Sequence, residues 1–591
     1  MSLDIRSNSK VLVFLLATLP FSLQNPTQAQ NNNQTQITIS QTNNTIIFRA
    51  QVDRYLELRR SILDPSLNLS NMRHEEDAKL ALESLSMFEK EMSQTLSGLN
   101  LSLDDKIDHI LIRNKISDYR DRIQQSLQDE KIILDILPAA NLRLRLPDLT
   151  GLVEDSDLET GLRELKIAQT QIPAPWAPMP ENQRLSIIRA ISRRSEILSR
   201  EVNTWYGRVK NRFPQKAESA EKPVSAVQKG LKAFSEQLTK EVIPDLQKSE
   251  AAWGSPVGYD RFVSLLQTRH MIYDTPEQLL QLGKTQLADI HEQIKQIARK
   301  INRRKSAEEV WEQLKTEHPS REELPKFAYD EMQKSLKLLL ETDAVTIPEN
   351  ARNNVMLITE GRTFDTYPFG GYGGFRLKGK EFIGRFMTSP PKADMDADAA
   401  EARLRGNNYY WARVVAVHEI YPGHHLQNVT KRLKARPMRR DYSTTTLSEG
   451  WGLYSEQMMY RLGFFPDDKT TMAMLMMRAW RASRIVIDVS LHLGKMSFDE
   501  CVQFLVDNVD MDKENATAEV RRYLGNPTRP LSYLYGYNQI ERLRLDFMKM
   551  RGDQFTDKEF HDTFLTYGSI PIPLIRSGML GDPLPEINLT N

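Results

Sequence analysis

From Ile46 to about Leu339, apolar residues recur at spacings of three and four among Glu, Lys, Arg and Gln. That period turns one face of a helix toward a core, and it predicts helix after helix along this stretch. One start is explicit. Thr275 is placed to cap, Pro276 suits the first helical position, Gln278 completes a capping box, and Leu280, Leu287, Ile290, Ile294 and Ile297 follow at helical spacing. The pattern breaks at Leu146-Pro147, at Pro173 to Pro180 and at Asn211 to Pro214, where proline removes a donor and disfavours helix in the residue before it. These breaks read as loops between helices. The absence of a fixed repeat period argues against a solenoid of uniform units.

The pattern changes after Pro348. Val355 to Thr359 and Phe382 to Thr388 read as strands, and between them Gly370, Gly371, Gly373 and Gly374 stand among aromatics from Tyr367 to Phe375. A small sheet is expected to interrupt the helices here, with the edge of the Phe382 to Thr388 strand offered to an extended substrate. The glycines do not form a phosphate loop, because no Lys-Ser or Lys-Thr follows at the required spacing. Helix returns from Asp396 and runs through Tyr409, Tyr410, Val414 and Val417. The fold class is therefore mainly α, a large multi-helix body with a small β-sheet.

The N-terminal stretch, 1–29, reads as a signal peptide: Arg6 and Lys10 precede an apolar run from Val11 to Phe21, and Thr27-Gln28-Ala29 offers a cleavage site. The run is too short for about 30 Å of hydrocarbon and holds Pro20, so no stable membrane insertion is expected after cleavage. Residues 30–45 are rich in Asn, Gln and Thr and are expected to be a disordered linker. An N-terminal helical region at 46–345 and a catalytic region at 346–591 are expected to pack into one cleft-bearing body. Lys+Arg 79 against Asp+Glu 78 gives a formal charge of +1, so no global field attracts nucleic acid. The single cysteine, Cys501, allows no internal disulfide, which fits a bacterial periplasm better than a disulfide-rich secreted scaffold. Its place beside Phe504 and Leu505 marks it as inert core.

The chemistry is concentrated in His418-Glu419-Ile420-Tyr421-Pro422-Gly423-His424-His425, which holds three of the ten histidines. In an ordinary H-E-x-x-H helix, histidines four apart reach one metal while the Glu touches its water. Here Pro422 occupies the position where the second histidine would stand, and the histidine is delayed by two residues. Pro422 breaks the backbone ladder and Gly423 permits a distortion that can swing His424 back to the metal. His425 would share the azimuth of His418 but lie about 10 Å further along an undistorted axis. His424 is thus the preferred ligand, with His425 a competitor that either ligates or binds substrate. Glu449, in Leu447-Ser448-Glu449-Gly450-Trp451, supplies a third ligand, and Glu456, seven residues later, shares its face. Two histidines, one glutamate and an open position form a recurring catalytic zinc set, whereas structural zinc more often recruits thiolates.

At these residues the chain resembles the bacterial family known as domain of unknown function 885, whose hallmark H-E-x-x-P-G-H-H-x-Q runs here from His418 to Gln427. It is also remotely similar to gluzincin metallopeptidases. Further parts of the family pattern are Asp274-Thr275-Pro276-Glu277, Glu449-Gly450-Trp451, Arg484 with Asp488 and His492, Arg522-Tyr523, Ser532-Tyr533 and Phe560-His561-Asp562, so the resemblance extends from about Gly258 to about Pro573. It implies a mostly helical gluzincin-like body, one zinc ion and peptidase chemistry.

The expected mechanism has His418, His424 and Glu449 holding one zinc ion, Glu419 acting as general base and acid, and Tyr533 or Tyr535 offering a phenol to the developing oxyanion. Arg484, Asp488 and His492 fall four apart on one helix face and either support the site or bind a peptide carboxylate. Arg522 is a further candidate for carboxylate recognition. The expected protein is a periplasmic or secreted zinc peptidase of short peptides, with a carboxypeptidase as one form of it. The competing readings are a zinc amidase acting on a nonpeptide amide and a noncatalytic helical binding protein.

Overall fold

The computed structural model describes residues 33–62, 75–136, 146–147, 149, 154–172, 185–248, 253–352, 354–359 and 369–585. The expected signal peptide, the Pro173 to Pro180 loop and Tyr367 lie outside them. Among the described residues, no helix is long and apolar enough to cross a membrane.

The capping box forms as expected. Thr275 Oγ1 accepts from Gln278 N–H at 3.3 Å and Thr275 N–H donates to the Gln278 side chain at 2.7 Å, opening the helix Pro276–Ile301. That helix lies along Asp468–His492, where every residue from Thr470 to His492 is buried. A helix buried all round belongs at the centre of a large body, and this one is its axis. Its polar side chains Arg478, Arg481, Arg484, Asp488 and His492 fall within about 120° of one another at 3.6 residues per turn. They form a single stripe of ionisable residues along a mostly apolar rod.

One continuous apolar core reaches from Phe48 to Met579. It joins the helices Asn33–Ile62, Glu75–Leu96 and Leu103–Ile136 to the region that carries the histidine motif. A smaller separate core, with Leu158, Leu165, Trp205, Val209 and Leu231, holds Asp155–Gln171, Leu185–Arg212 and Ala217–Gln237 together. The expected linker is corrected by the structure, for the chain is helical from Asn33 onward. Phe48, Val52 and Tyr55 are buried and anchor the later turns. Once that part is nucleated, each further residue needs only propagation, which even a polar sequence sustains.

The sheet has the order β1-β3-β2, with β1 at Val355–Ile358, β2 at Gly371–Lys378 and β3 at Glu381–Met387. β1 runs parallel to β3 and β2 antiparallel to it, with a register shift between Tyr372 and Phe375. This corrects the expectation that the Phe382 to Thr388 strand presents an edge. β3 is paired on both sides, because β1 returns to it from before the glycine-rich stretch, and β2 is left at the margin.

Buried charge ties the N-terminal helices to the motif region. Arg439 Nε donates to Asp108 Oδ1 and Arg436 Nε to Asp108 Oδ2, each at 2.7 Å, while Arg436 also pairs with Asp105 and Arg439 with Asp104. Burial pushes the Asp108 carboxyl above its ordinary value although both arginines pull it down. Removing one partner of such a group strands the others away from water. Asp108→Ala is therefore expected to destabilise the protein by about 3 kcal/mol or more, seen as a lowered midpoint in chemical denaturation. An unchanged midpoint would mean that Arg436 and Arg439 find other partners.

Candidate metal centre

The first site helix, Tyr409–Glu419, is capped by Asn408, whose side chain accepts from Trp411 N–H at 3.0 Å. It stops at Glu419. The chain turns through Ile420 to Gly423 with a cis Tyr421-Pro422 bond, and a second helix, His424–Lys434, begins at His424 itself. Gly423 N–H donates to Val417 O at 3.1 Å, so the turn folds back onto the end of the first helix. A Cβ on Gly423 would overlap the His418 carbonyl, and only glycine fits. Trp451 Nε1 donates to Pro422 O at 2.9 Å and fastens the turn from the far side. The two imidazoles end 4.9 Å apart between ring centres and at 88° to each other. The delayed histidine thus reaches the first by restarting the helix, not by bending it.

The third element is the carboxylate helix, Thr445–Arg461, capped by the Thr444 hydroxyl. Glu449 Oε2 lies 3.6 Å from His418 Nε2 and 3.4 Å from His424 Nε2. Gly452 on the same helix allows this approach, since a Cβ there would overlap the His418 ring. Two turns beyond Glu449, Glu456 Oε1 accepts from His418 Nδ1 at 2.8 Å. That bond orients the ring with Nδ1–H toward Glu456 and Nε2 toward Glu449. Ligand atoms of His418, Glu419 and His424 all lie within 4.8 Å of one another.

The donor set fits zinc. Tetrahedral ligands at bond lengths of about 2.0 to 2.1 Å stand about 3.4 Å from one another, and the Glu449 separations of 3.6 Å and 3.4 Å match. Charge points the same way. Burial opposes a charged His418, yet the adjacent Glu449 and Glu456 carboxylates push its pKa up to about 10. Burial likewise works against ionised Glu449, but His418 and His424 hold it well below the ordinary carboxylate range. A buried pair of carboxylates flanked by imidazoles is a place where a cation is stabilised.

The other sequence candidates fall in different surroundings. Tyr533, on the helix Ser532–Arg551, is half-buried, and burial and then the Glu449 carboxylate push its hydroxyl up, which places it in electrostatic reach of the cluster. Tyr535 donates its hydroxyl to Asp274 and is committed there. Arg484 is stacked on Trp480 at 4.1 Å and on Tyr533 at 4.5 Å, and its Nε donates to the Tyr523 hydroxyl at 3.0 Å. Arg522 pairs with Glu519, which also meets Arg484 at 3.3 Å. Against burial, the two arginines hold the Glu519 carboxyl at about 2.

Two candidate substrate contacts are corrected. His492 is fully buried, donates from Nε2 to Tyr523 O at 3.2 Å and stacks on Phe262, with burial pushing it down to about 4. Its neighbour Asp488 accepts from the Thr528 and Leu531 N–H groups, so this end of the stripe braces a loop. His425 is also fully buried; its Nδ1 meets the Tyr372 hydroxyl at 3.3 Å, and a Cβ on Gly384 of β3 would come within 2.8 Å of that nitrogen. The second histidine of the pair thus seats the sheet on the second site helix. Cys501 is buried, and burial pushes its thiol up to about 12, as inert core requires.

Three features were not foreseen. Tyr372 of β2 has its ring 6.4 Å from that of His424. Arg481 is buried beside Trp480 at 4.8 Å, and burial lowers its guanidinium pKa while Glu456 pulls the other way. Its spacing of three from both Arg478 and Arg484 was a legible signal. A cavity of about 440 Å³ opens near the start of the first site helix, away from the histidines.

Loss of the Glu456 acceptor frees the His418 ring, and such supporting partners typically govern metal affinity by 10 to 100-fold. Glu456→Ala is expected to weaken zinc affinity by about that factor, measured by titration against a competing chelator. Unchanged affinity would reduce Glu456 to a packing role.

The family model for a bacterial protein of unknown function (DUF885) matches residues 61–579. The match reaches well upstream of Gly258, where the motif resemblance begins. A candidate lipoprotein of unknown function from Shewanella oneidensis has a similar structure, with a TM-score of 0.66 at 17% identity, covering 91% of this chain and 99% of that one. A candidate lipoprotein from Colwellia psychrerythraea gives a TM-score of 0.59 at 18% identity, covering 92% of this chain and 98% of that one. No protein of curated function matches the sequence. With the family model spanning most of its length and the H-E-x-x-P-G-H-H motif at the junction of two helices, the chain belongs to the bacterial DUF885 family.

Proposed function

We propose that the protein is a zinc-dependent peptidase, secreted or attached to the bacterial envelope, that hydrolyses short peptides. The observation that carries this reading is the convergence of His418 Nε2 and His424 Nε2 on Glu449 Oε2, at 3.6 Å and 3.4 Å, with Glu419 beside the two histidines. His418, His424 and Glu449 would hold the ion, and Glu456 would orient His418. When bound, zinc supplies a Lewis acid that acidifies water and polarises a carbonyl. Glu419 takes the proton of the attacking water and delivers it to the departing amide nitrogen, so that one C–N bond breaks and one water is consumed. Tyr533 donates its hydroxyl toward the oxygen on which negative charge develops. The likeness to two candidate lipoproteins and the leader-like N-terminal pattern support the location.

Purified protein is expected to carry one equivalent of zinc, lost in His424→Ala and kept in His425→Ala. Glu419→Gln is expected to keep the metal and lose about 10²-fold or more in kcat on a mixed peptide library. Wild-type protein that takes up no divalent ion would sink the reading. A loaded protein that cuts nonpeptide amides and spares peptides would make it an amidase instead.

A further inference from the structure

We infer that the cavity walled by Trp311, Phe369, Trp411 and Trp480 is a side-chain subsite of the peptide cleft. It would take a large apolar residue, aromatic above all, about three positions from the bond that is cut. This rests on the peptidase reading and adds a substrate class to it.

The cavity measures about 440 Å³, within the range of about 300 to 1,000 Å³ typical of ligand sites. Its walls are aromatic. Phe369 stands 5.4 Å from Trp411 and 5.7 Å from Trp480, Trp311 stands 6.3 Å from Trp411, and Trp411 stacks with Trp480 at 6.2 Å. Rings at these separations welcome a further ring in offset or edge contact. Met476 and Met511 add side chains that adapt to irregular shapes to a lining that also holds Asn407, Asn408 and Asn515. The Trp411 indole N–H is buried without a partner. Of the cations at the mouth, Lys315 pairs with Asp510 at 2.8 Å and Arg405 with Glu312 at 2.6 Å, so neither of these two is free to select an acidic side chain.

Its place relative to the histidines is set by two independent rulers. Trp411 and His418 share one helix and differ by seven residues, which at 1.5 Å per residue is about 10 Å. Phe369 precedes Tyr372 by three residues, and Tyr372 has its ring 6.4 Å from that of His424. Three residues of extended chain also span at most about 10 Å. β2 begins within that stretch, at Gly371, and among the described residues it pairs only with β3. A peptide that pairs with the start of β2 at Tyr372 and continues past Gly370 toward Phe369 would reach the cavity about three residues after leaving the histidines. Both rulers give the length of the same short stretch of substrate.

The test uses the full chain loaded with zinc and a library of alanine-based octapeptides carrying Trp, Phe, Leu, Ala or Lys at each position in turn, read by mass spectrometry. At the third position to one side of the cut, Trp and Phe are expected to raise kcat/KM about tenfold or more over Ala, mainly through KM. Trp311→Ala should bring that ratio close to one. Ala402→Trp, which fills the cavity from an exposed helix position without removing a packed ring, should do the same. Cleavage with no such preference, or with one that survives in both variants, overturns the inference and leaves the peptidase reading intact. If no peptide is cut, that reading fails separately, and calorimetry of the Trp and Ala peptides on Glu419→Gln protein decides the cavity. Tighter binding of the Trp peptide that Ala402→Trp abolishes upholds it, and equal binding of the two overturns it.

Discussion

The chain cannot continue as one helix past Glu419, and most of the site follows from how it stops. Pro422 has no N–H to give, and Gly423 must press its backbone against the His418 carbonyl. The second helix then begins on His424, so both imidazoles are held by backbone that has no alternative path. A side chain on a loop would need its rotamer fixed by packing alone. Here the first ring is set at the last turn of one helix and the second at the first turn of the next, and the Trp451 indole bonded to Pro422 O locks the joint. The carboxylate helix completes the arrangement through its own glycines. Gly452 lets the His418 ring lie against the backbone, and Gly450 meets Gly536 so closely that neither can carry a Cβ. That second contact draws the Ser532–Arg551 helix, and with it Tyr533, toward Glu449.

The buried stripe on the Asp468–His492 helix divides into two kinds of surroundings. At its C-terminal end Asp488 and His492 are consumed by backbone groups of neighbouring segments, and burial pushes Asp488 up to about 8 and His492 down to about 4. Those shifts are what two neutral, hydrogen-bonded groups in an apolar interior show. Nearer the cluster, Arg481 and Arg484 keep charge and satisfy much of their surface on aromatic faces, Trp480 and Tyr533 in particular. Arg481 Nε and Arg484 Nη1 remain without partners although buried. With Glu519 shared between Arg484 and Arg522, positive charge is in excess on this side of the site. It offsets the negative charge that Glu419, Glu449 and Glu456 bring together.

What was legible in the sequence was whatever depends on spacing along one helix. The capping box at Thr275, the helix stop at Pro422, the pairing of His418 with His424 and the shared face of Glu449 and Glu456 are local facts, fixed by pitch and by the chemistry of proline and glycine. The continuous core was legible only as a run of amphipathic helices, because the pattern does not say which face meets which. The order of the three strands was hidden for the same reason: β1 reaches β3 by passing over the glycine-rich stretch, and nothing in either strand records its neighbour. Polar composition misled at 33–45, where a helix anchored by Phe48, Val52 and Tyr55 carries the polar residues with it. Arg481 was legible from its spacing on one helix, whereas the place of Tyr372 and the aromatic cavity exist only once distant segments have met.

The fate of His425 connects the histidine motif to the rest of the cleft. Being one residue beyond His424 on a helix, it points about 100° away from it, and that direction leads to the sheet. Its ring fills the space that Gly384 leaves open on β3 and bonds the Tyr372 hydroxyl on β2. Burial pushes it down to about 4, so it stays neutral through the ordinary pH range and can remain packed without a counter-charge. The position of β2 relative to His424 is thus set in part by the residue next in sequence, alongside the packing of Phe375 and Phe382 on Val429 of the same helix. Packing on this one helix thus joins the strand beside the site to the same backbone that holds His424.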